Sequence, residues 1–179
     1  MKAALEAILQ AAAQPHDRAS VTTDNSFLLI YPPALELDFR DMLNDQCLPA
    51  LQSKGVPHSV LDLQGFLFKC FSEEEMQDQE SDEFRNYRLM RQGLAARAEN
   101  KLLSRIREIG ANQAGHNLFI VSTASLFPLV RYGEVLKQTR ELPLRVFLAF
   151  PGEEIGGQPH FLGREDGGNY LAVKISIKG

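Results

Sequence analysis

The amino-acid sequence predicts an α/β fold, specifically a Rossmann-like three-layer sandwich with a mostly parallel sheet and a C-terminal antiparallel β-hairpin. Short apolar runs recur along the chain and are continuous rather than alternating, which is typical of strands covered on both faces. Helical segments separate these runs, as in other α/β domains. The 179 residues, 44% of them hydrophobic and 23% charged, predict a single domain spanning 1–179.

The N-terminal third of the chain predicts a helix followed by a strand-helix-strand unit. Residues 1–14 form an amphipathic helix that stops before Pro15. The run SFLLIYPP at 26–33 is a strand closed by two prolines, and the helical stripe after it ends at Gly55, where glycine suits a C-terminal cap. The next strand is HSVLDL at 58–63, and the spacing is that of a right-handed crossover.

The middle of the chain is its most acidic part. Residues 72–83, SEEEMQDQESDE, predict a mobile, solvated loop, since the carboxylates lack the spacing of a calcium-binding loop. The start of another helix precedes this loop. A long helix from about Phe84 to Ile109 follows it, and Gly110 is expected to end that helix.

The C-terminal third predicts two more buried strands and a closing hairpin. NLFIVS at 117–122 is a strand, a helix follows it, and PLRVFLAFPG at 143–152 is the next strand. We expect HFLGREDGGNYLAVKISI at 160–177 to form the hairpin, with its turn at 166–169, and Pro151-Gly152-Glu153-Glu154 to be the turn that leads into it. The predicted order of elements is α-β-α-β-α-α-β-α-β-β-β.

Composition and charge argue against several function classes. The net charge of −4 offers no general attraction to nucleic acid, and Arg85, Arg88, Arg91 and Arg105 alternate with acidic and apolar residues along the long helix. The two cysteines, Cys47 and Cys70, form no metal-binding motif and suit buried positions. The N-terminal helix is too short to span a bilayer and lacks a cleavage signal. We therefore expect a soluble cytoplasmic protein that does not bind nucleic acid directly.

The sequence motifs of common α/β enzymes are missing. The chain contains neither GxxxxGK[ST] nor GxGxxG, and the first strand ends in Tyr31-Pro32-Pro33, where proline removes the amide donors that a phosphate cradle needs. GxSxG is also absent, and none of the four histidines pairs with a Ser or Cys in a local motif. These absences predict no bound cofactor and no metal, and they favour a protein that is not an enzyme.

Polar residues that follow the strands form one candidate pocket. Because open α/β sheets bind ligands beyond the carboxyl ends of their strands, residues after three strands could converge there. The candidate pocket residues are Tyr31, Glu36, Ser122, Thr123, Ser125 and Arg131, with Glu153 or Glu154 as a base or metal ligand and Arg131 as the partner of an anion. The alternative interpretation is structural: Ser122 and Thr123 cap a helix and the two glutamates belong to a turn.

Four stretches carry a resemblance to a known family. FLLIYPPALELDFRDML, VSTASLFPLVRYGEVLKQT, LPLRVFLAFPGEEIGGQPHFLG and GNYLAVKI occur in that order and together cover essentially the whole chain. The sequence resembles the BrxB family, a component of BREX bacteriophage-defence systems. It departs from the family at Ser122-Thr123-Ala124-Ser125, where a glycine-rich element is usual, and at Tyr170-Leu171-Ala172, where two tyrosines and an arginine are usual.

The resemblance implies a cytoplasmic subunit of a defence complex that also holds a PglZ-like phosphatase-fold protein, a DNA methyltransferase and a large ATPase. It implies no catalytic mechanism. We therefore expect a non-catalytic adaptor that contacts other BREX proteins, most directly the PglZ-like one. The alternative is a degenerate nucleotide- or phosphate-ester-binding enzyme that uses the strand-end loops. The expected docking residues of the adaptor are Leu5, Ile8, Leu9, Pro151, Gly152, Glu153 and Glu154.

Overall fold

The computed structural model describes residues 1–14, 25–72, 75, 87–165, 170 and 172–178, and it confirms the predicted fold class. The helices are α1 (Lys2–Ala13), α2 (Glu36–Asp41), α3 (Leu48–Ser53), α4 (Tyr87–Asn112) and α5 (Tyr132–Thr139). The strands are β1 (Ser26–Tyr31), β2 (His58–Asp62), β3 (Asn117–Val121), β4 (Arg145–Ile155), β5 (Gln158–Phe161), β6 (Arg164–Glu165) and β7 (Val173–Ser176).

A parallel sheet forms the centre of the molecule. Its strands lie in the order β2-β3-β4-β1-β7, and each neighbouring pair is parallel. The carboxyl ends of these strands therefore lie along one edge of the sheet, here called the carboxyl edge. Their amino ends lie along the opposite edge, here called the amino edge.

Helices cover both faces of the sheet, which makes three layers. Successive side chains of a strand point to opposite faces, so both faces of a covered strand must be apolar. In β1, Leu28 and Ile30 join the core beneath α4 and α5, whereas Phe27, Leu29 and Tyr31 join the core beneath α1, α2 and α3. This arrangement explains why the strand sequences are continuous apolar runs.

The antiparallel hairpin is present, but different residues form it from those the sequence suggested. The last strand, β7, joins the main sheet and runs parallel to β1, so 160–177 is not a hairpin. Instead β4 continues past the sheet and pairs with β5, from Gly152 opposite Phe161 to Ile155 opposite Gln158. Gly156 and Gly157 form the turn with positive φ angles of 60° and 83°. The predicted turn at 166–169 lies outside the described residues.

Pro151-Gly152-Glu153-Glu154 is part of β4 and is not a turn. Gly152 is needed there because the two strands approach closely. A Cβ atom added at this position would lie 2.1 Å from the carbonyl oxygen of His160, a distance that no real contact tolerates. The extension of β4 together with β5 and β6 is here called the arm.

The helical segment after β1 contains an irregular turn. Between α2 and α3, residues Met42–Cys47 form a π-helical turn immediately before Pro49. Proline has no amide hydrogen, and its ring would clash with the carbonyl group of Asp45 in a regular α-helix. The wider turn accommodates Pro49 and lets α3 continue toward Gly55.

The central part of the chain differs from the prediction in two places. The expected helix before the acidic loop is a single 3₁₀ turn at Phe68–Cys70. Gly110 lies inside α4 and does not end it. Leu144 packs against the helix here, and a Cβ added at Gly110 would lie in van der Waals contact with it, 3.4 Å away.

The predicted acidic loop at 72–83 lies mostly outside the described residues. Ser72 and Glu75 are described and form a capping box: the Ser72 amide donates to the Glu75 carboxylate at 2.7 Å, and the Glu75 amide donates to the Ser72 hydroxyl at 3.2 Å. The Glu75 carboxylate also forms a salt bridge with Arg97 of α4. Arg97 in turn lies over the ring of Phe71, 4.7 Å from its centroid.

Candidate functional site

Polar side chains from three strands meet at the carboxyl edge. Tyr31 ends β1, Asp62 ends β2, and Ser122 directly follows β3. α2 begins just after β1 and places Glu36 and Arg40 above the same edge. These five residues are here called the polar network.

The polar network is a chain of hydrogen bonds. The Tyr31 hydroxyl donates to Glu36 Oε2 at 2.7 Å, and Arg40 Nε donates to Glu36 Oε1 at 2.7 Å. Arg40 Nη2 also donates to the Ser122 hydroxyl at 3.2 Å. Each carboxylate oxygen of Glu36 therefore has its own donor, and Arg40 connects the first strand to the third.

Asp62 closes the other end of the polar network. Its Oδ1 accepts the backbone amide of Gln64 at 2.9 Å. Partial burial raises the pKa of Asp62, but hydrogen bonds from Ser122 and Gln64 and the charges of Arg40 and Lys69 outweigh that effect, so the pKa lies below its usual value. Asp62 is consequently ionised at neutral pH.

The ionisation states in the polar network do not suit acid-base catalysis. Burial, reinforced by the bond to Glu36, raises the pKa of Tyr31 far above its ordinary value, so the phenol stays neutral. The hydrogen bond to Glu36 raises the pKa of Arg40, which therefore stays charged. A general acid or base needs a pKa near the working pH, and neither group has one.

Ser122 has an unusual backbone conformation. Its φ of 57° and ψ of 34° are left-handed, a region that non-glycine residues seldom adopt. The neighbouring residue fixes this turn, because the Thr123 hydroxyl donates to the Ala149 carbonyl at 2.7 Å and the Tyr132 hydroxyl donates to the Thr123 carbonyl at 2.6 Å. Thr123 is buried and has a structural role. Neither hydroxyl caps the following turn.

The six predicted pocket residues do not converge as one group. Tyr31, Glu36 and Ser122 meet in the polar network, whereas Ser125 and Arg131 are exposed side chains outside it. Thr123 lies beneath them. Sequence reasoning missed Arg40 and Asp62, although the spacing of Glu36 and Arg40 is that of a helical ion pair and Asp62 directly follows a strand.

The predicted docking residues of α1 pack against the core. Ile8 is fully buried, and Leu5 and Leu9 are partly buried against the same apolar cluster. This face of α1 is therefore a packing face and not the docking face that the sequence suggested.

The predicted docking residues of the arm divide into two groups. Pro151 and Gly152 are buried, whereas Glu153 and Glu154 are exposed. Glu154 forms a salt bridge of 3.2 Å with Lys174 of β7, and the same ammonium group donates to the Gly157 carbonyl at 2.6 Å. These contacts attach the arm to the body of the protein.

A cleft of about 440 Å³ lies beside the polar network. Asp62 belongs to both features. The walls of the cleft are the end of β2, the segment that follows it and the middle of α4, and the residues that line it are Leu61, Asp62, Phe66, Lys69, Cys70, Lys101, Ser104, Arg105 and Glu108. The sequence does not predict it, because its two walls come from 61–70 and 101–108, which are distant in sequence.

One Ser–His contact lies at the amino edge. The Ser59 hydroxyl is 3.2 Å from His116 Nδ1, but it donates its proton to Gln113 Oε1. His116 Nδ1 is then the donor to Ser59, so this nitrogen cannot accept the proton of the Ser59 hydroxyl. The pair does not form a catalytic dyad.

Two further kinds of site are absent from the described ranges. In that part of the chain no three His, Cys, Asp or Glu side chains lie together where they could hold a metal ion. Among the described helices, none is both long enough and apolar enough to cross a membrane.

No family model, curated protein or solved structure matches this chain.

Proposed function

We propose that this protein is a non-catalytic adaptor subunit of a BREX-type defence system that binds a PglZ-like protein through the carboxyl edge. The observation that carries this proposal is the distribution of exposed apolar side chains. Of the eight large apolar side chains exposed among the described residues, six lie on segments at the carboxyl edge: Leu37, Phe68, Tyr87, Leu89, Ile155 and Leu162.

The connections of the sheet place these side chains at one edge. Leu37 lies in α2, which begins where β1 ends, and Phe68 follows the end of β2. α4 leads down to the start of β3, so its first residues, Tyr87 and Leu89, lie toward the carboxyl edge. Phe68 is 71% exposed and Leu37 is 75% exposed. Several large apolar side chains exposed in one region are typical of a protein-protein interface.

The arm extends the carboxyl edge beyond the parallel sheet. The pairing of β4 with β1 stops at Pro151, and β4 then continues to Ile155. Phe161 anchors the returning strand, since it is fully buried and its ring lies 4.9 Å from those of Phe127 and Phe150. A surface that is already ordered loses little conformational entropy when a partner binds.

The polar network argues for an adaptor over the alternative phosphate-ester enzyme. Its hydrogen-bonding groups satisfy one another, burial raises the pKa of Tyr31 far above its ordinary value, and Asp62 is ionised at neutral pH. The residues after β1 are Pro32 and Pro33, which offer no amide to a phosphate group. The resemblance to the BrxB family supplies the expected partner.

The test is co-expression of the tagged full chain with the BREX proteins, followed by pull-down and mass spectrometry. We expect stoichiometric recovery of the PglZ-like protein. Leu37→Ser and Phe68→Ser should each reduce that recovery at least fivefold, since buried apolar side chains dominate interface energies. Glu153→Arg should reduce it through a change of charge at the arm.

The matched control is Val173→Ser. Val173 is also an exposed apolar residue, at 38%, but it begins β7 at the amino edge. Recovery should be unchanged in this variant. If the wild-type chain is recovered alone, or if Val173→Ser reduces recovery as much as Phe68→Ser does, the proposed interface is wrong.

A further inference from the structure

The cleft beside β2 combines positive charge with an apolar wall. Lys101 and Arg105 lie one helical turn apart on α4, and Lys69 faces them from the segment that follows β2. Leu61 and Phe66 line the same space. Cations and apolar side chains thus meet in one concavity, which is the usual composition of a small-molecule site.

The two lysines of the cleft form no salt bridge with another described residue. Arg105 forms a salt bridge of 2.6 Å with Glu108, but neither Lys69 nor Lys101 takes part in an ion pair within the described part of the chain. Lys101 and Arg105 are like charges at i and i+4, a spacing that disfavours the helix. An anion held between them would relieve this repulsion.

The deepest polar group of the cleft adds no negative charge. Cys70 is buried, and its thiol donates to the Phe66 carbonyl at 3.2 Å. Burial raises the pKa of Cys70, although Lys101 and Arg97 act in the opposite direction, so the thiol stays neutral at neutral pH. The acidic groups that line the cleft are Asp62 and Glu108, against three cations.

We propose that this cleft binds a small phosphate monoester whose ester group is apolar. Lys69 and Lys101 would bind the phosphate dianion, Arg105 would complete the positive side, and Leu61 and Phe66 would contact the ester group. A volume of about 440 Å³ suits a ligand of that size. The cleft adjoins the carboxyl end of β2, which is where open α/β sheets hold their ligands. This site goes beyond the proposed adaptor function, and its segment 61–70 also carries Phe68 of the proposed interface.

The position of Asp62 gives the site a connection to the rest of the carboxyl edge. Asp62 lines the cleft and is also bonded to Ser122, which accepts a hydrogen bond from Arg40. A bound anion close to Asp62 would be repelled by its carboxylate. Replacement of that carboxylate by a neutral amide should therefore strengthen binding of the anion.

The test is titration of the ¹⁵N-labelled full chain with phenyl phosphate, inorganic phosphate and benzoate, followed by amide chemical shifts. Phenyl phosphate should bind most tightly and should shift the amides of 61–70 and 101–108. Lys101→Gln and Lys69→Gln should each weaken its binding roughly tenfold, the loss expected for one charge-assisted hydrogen bond. Asp62→Asn should strengthen it.

Arg91→Gln provides the matched control, since it removes one positive charge from an exposed position of α4 outside the cleft. Its affinity should stay within twofold of the wild type. The two lysines lie on separate segments, so either variant can test the site if the other fails to fold.

Three results would overturn the proposal. One is the absence of amide shifts in the cleft at about 10 mM phenyl phosphate, because a dissociation constant above that concentration is too weak for a specific site. A second is an equal loss of affinity in Arg91→Gln, which would indicate non-specific attraction. The third is benzoate binding as tightly as phenyl phosphate, which would make the site a carboxylate site.

Discussion

At the amino edge of the sheet the guanidinium group of Arg145 is buried against the end of α1, whereas at the carboxyl edge Lys69 and Lys101 are exposed beside an open cleft. Arg145 Nη1 donates to the carbonyl groups of Ala11 at 2.8 Å and Gln14 at 3.0 Å. The final carbonyls of a helix lack partners within it and carry partial negative charge, so a cation there stabilises the helix end.

Asn117 has a similar role at the amino edge. Its side-chain amide donates to the carbonyl groups of Ala12 at 3.1 Å and Pro57 at 3.0 Å. Polar groups at this edge thus join α1 to the sheet and are removed from solvent. The carboxyl edge instead presents exposed apolar side chains, exposed lysines and the arm. The amino edge therefore maintains the fold, and the carboxyl edge is the one that we propose for ligand and partner binding.

The largest effect should come from breaking the amino edge. Arg145→Met removes the charged donor that the carbonyl groups of Ala11 and Gln14 share, and the loss of these two charge-assisted hydrogen bonds should lower the free energy of unfolding by about 2–4 kcal/mol. Urea denaturation would measure it. Arg107→Met on the exposed side of α4 is the control and should change stability by less than about 0.5 kcal/mol. An equally small effect at Arg145 would show that its buried hydrogen bonds do not stabilise the fold.

A smaller effect should follow from a change to the arm. In Gly152→Ala the new Cβ would clash with the His160 backbone, so we expect a loss of about 1–3 kcal/mol and displacement of β5. Gly93→Ala is the matched control, because an added Cβ there meets nothing within 4 Å. It should stabilise α4 by about 0.5–1 kcal/mol. Thermal unfolding would measure the stability of both variants. If Gly152→Ala is as stable as the wild type, the arm is not fixed by the close contact of its strands.

The smallest effect concerns the pH dependence of stability. The folded-state pKa of Asp62 lies below its unfolded value, so its carboxylate contributes stability above the unfolded pKa of about 4. That contribution is lost as the pH falls through the folded-state pKa. Because Asp62 is exposed, its share is less than about 0.5 kcal/mol. Between pH 6 and pH 3 the wild type should therefore lose slightly more stability than Asp62→Asn, and an equal loss would contradict the lowered pKa.

The parallel sheet could be predicted because burial on two faces leaves a direct mark on the sequence. β1 and β3 are continuous apolar runs, and that pattern excludes a strand with one wet face. No comparable pattern in the sequence indicates which strand β7 pairs with. Buried Ile175 alternates with exposed neighbours in a pattern that suits an antiparallel hairpin equally well, and the pairing with β1 depends on contacts distant in sequence.

The candidate site could be predicted in part. Tyr31 ends β1, Glu36 begins the helix after it and Ser122 directly follows β3, so the parallel sheet places all three at one edge. The cleft could not be predicted, because Lys69 and Lys101 are brought together only by the tertiary structure. The local sequence around each lysine is typical of an exposed surface. The role of Arg145 could not be predicted, because its partners are backbone carbonyl groups of α1 and no pattern of side chains indicates them.

The proposed interface at the carboxyl edge is tested most directly by hydrogen exchange of the full chain with and without the purified PglZ-like protein. We expect slower exchange of the backbone amides in 34–40, 64–71 and 152–163 when the partner is bound, with no change in α1 or at Asn117 and Arg145. Protection confined to the amino edge, or no protection at saturating partner, would contradict the assignment of the carboxyl edge as the interface.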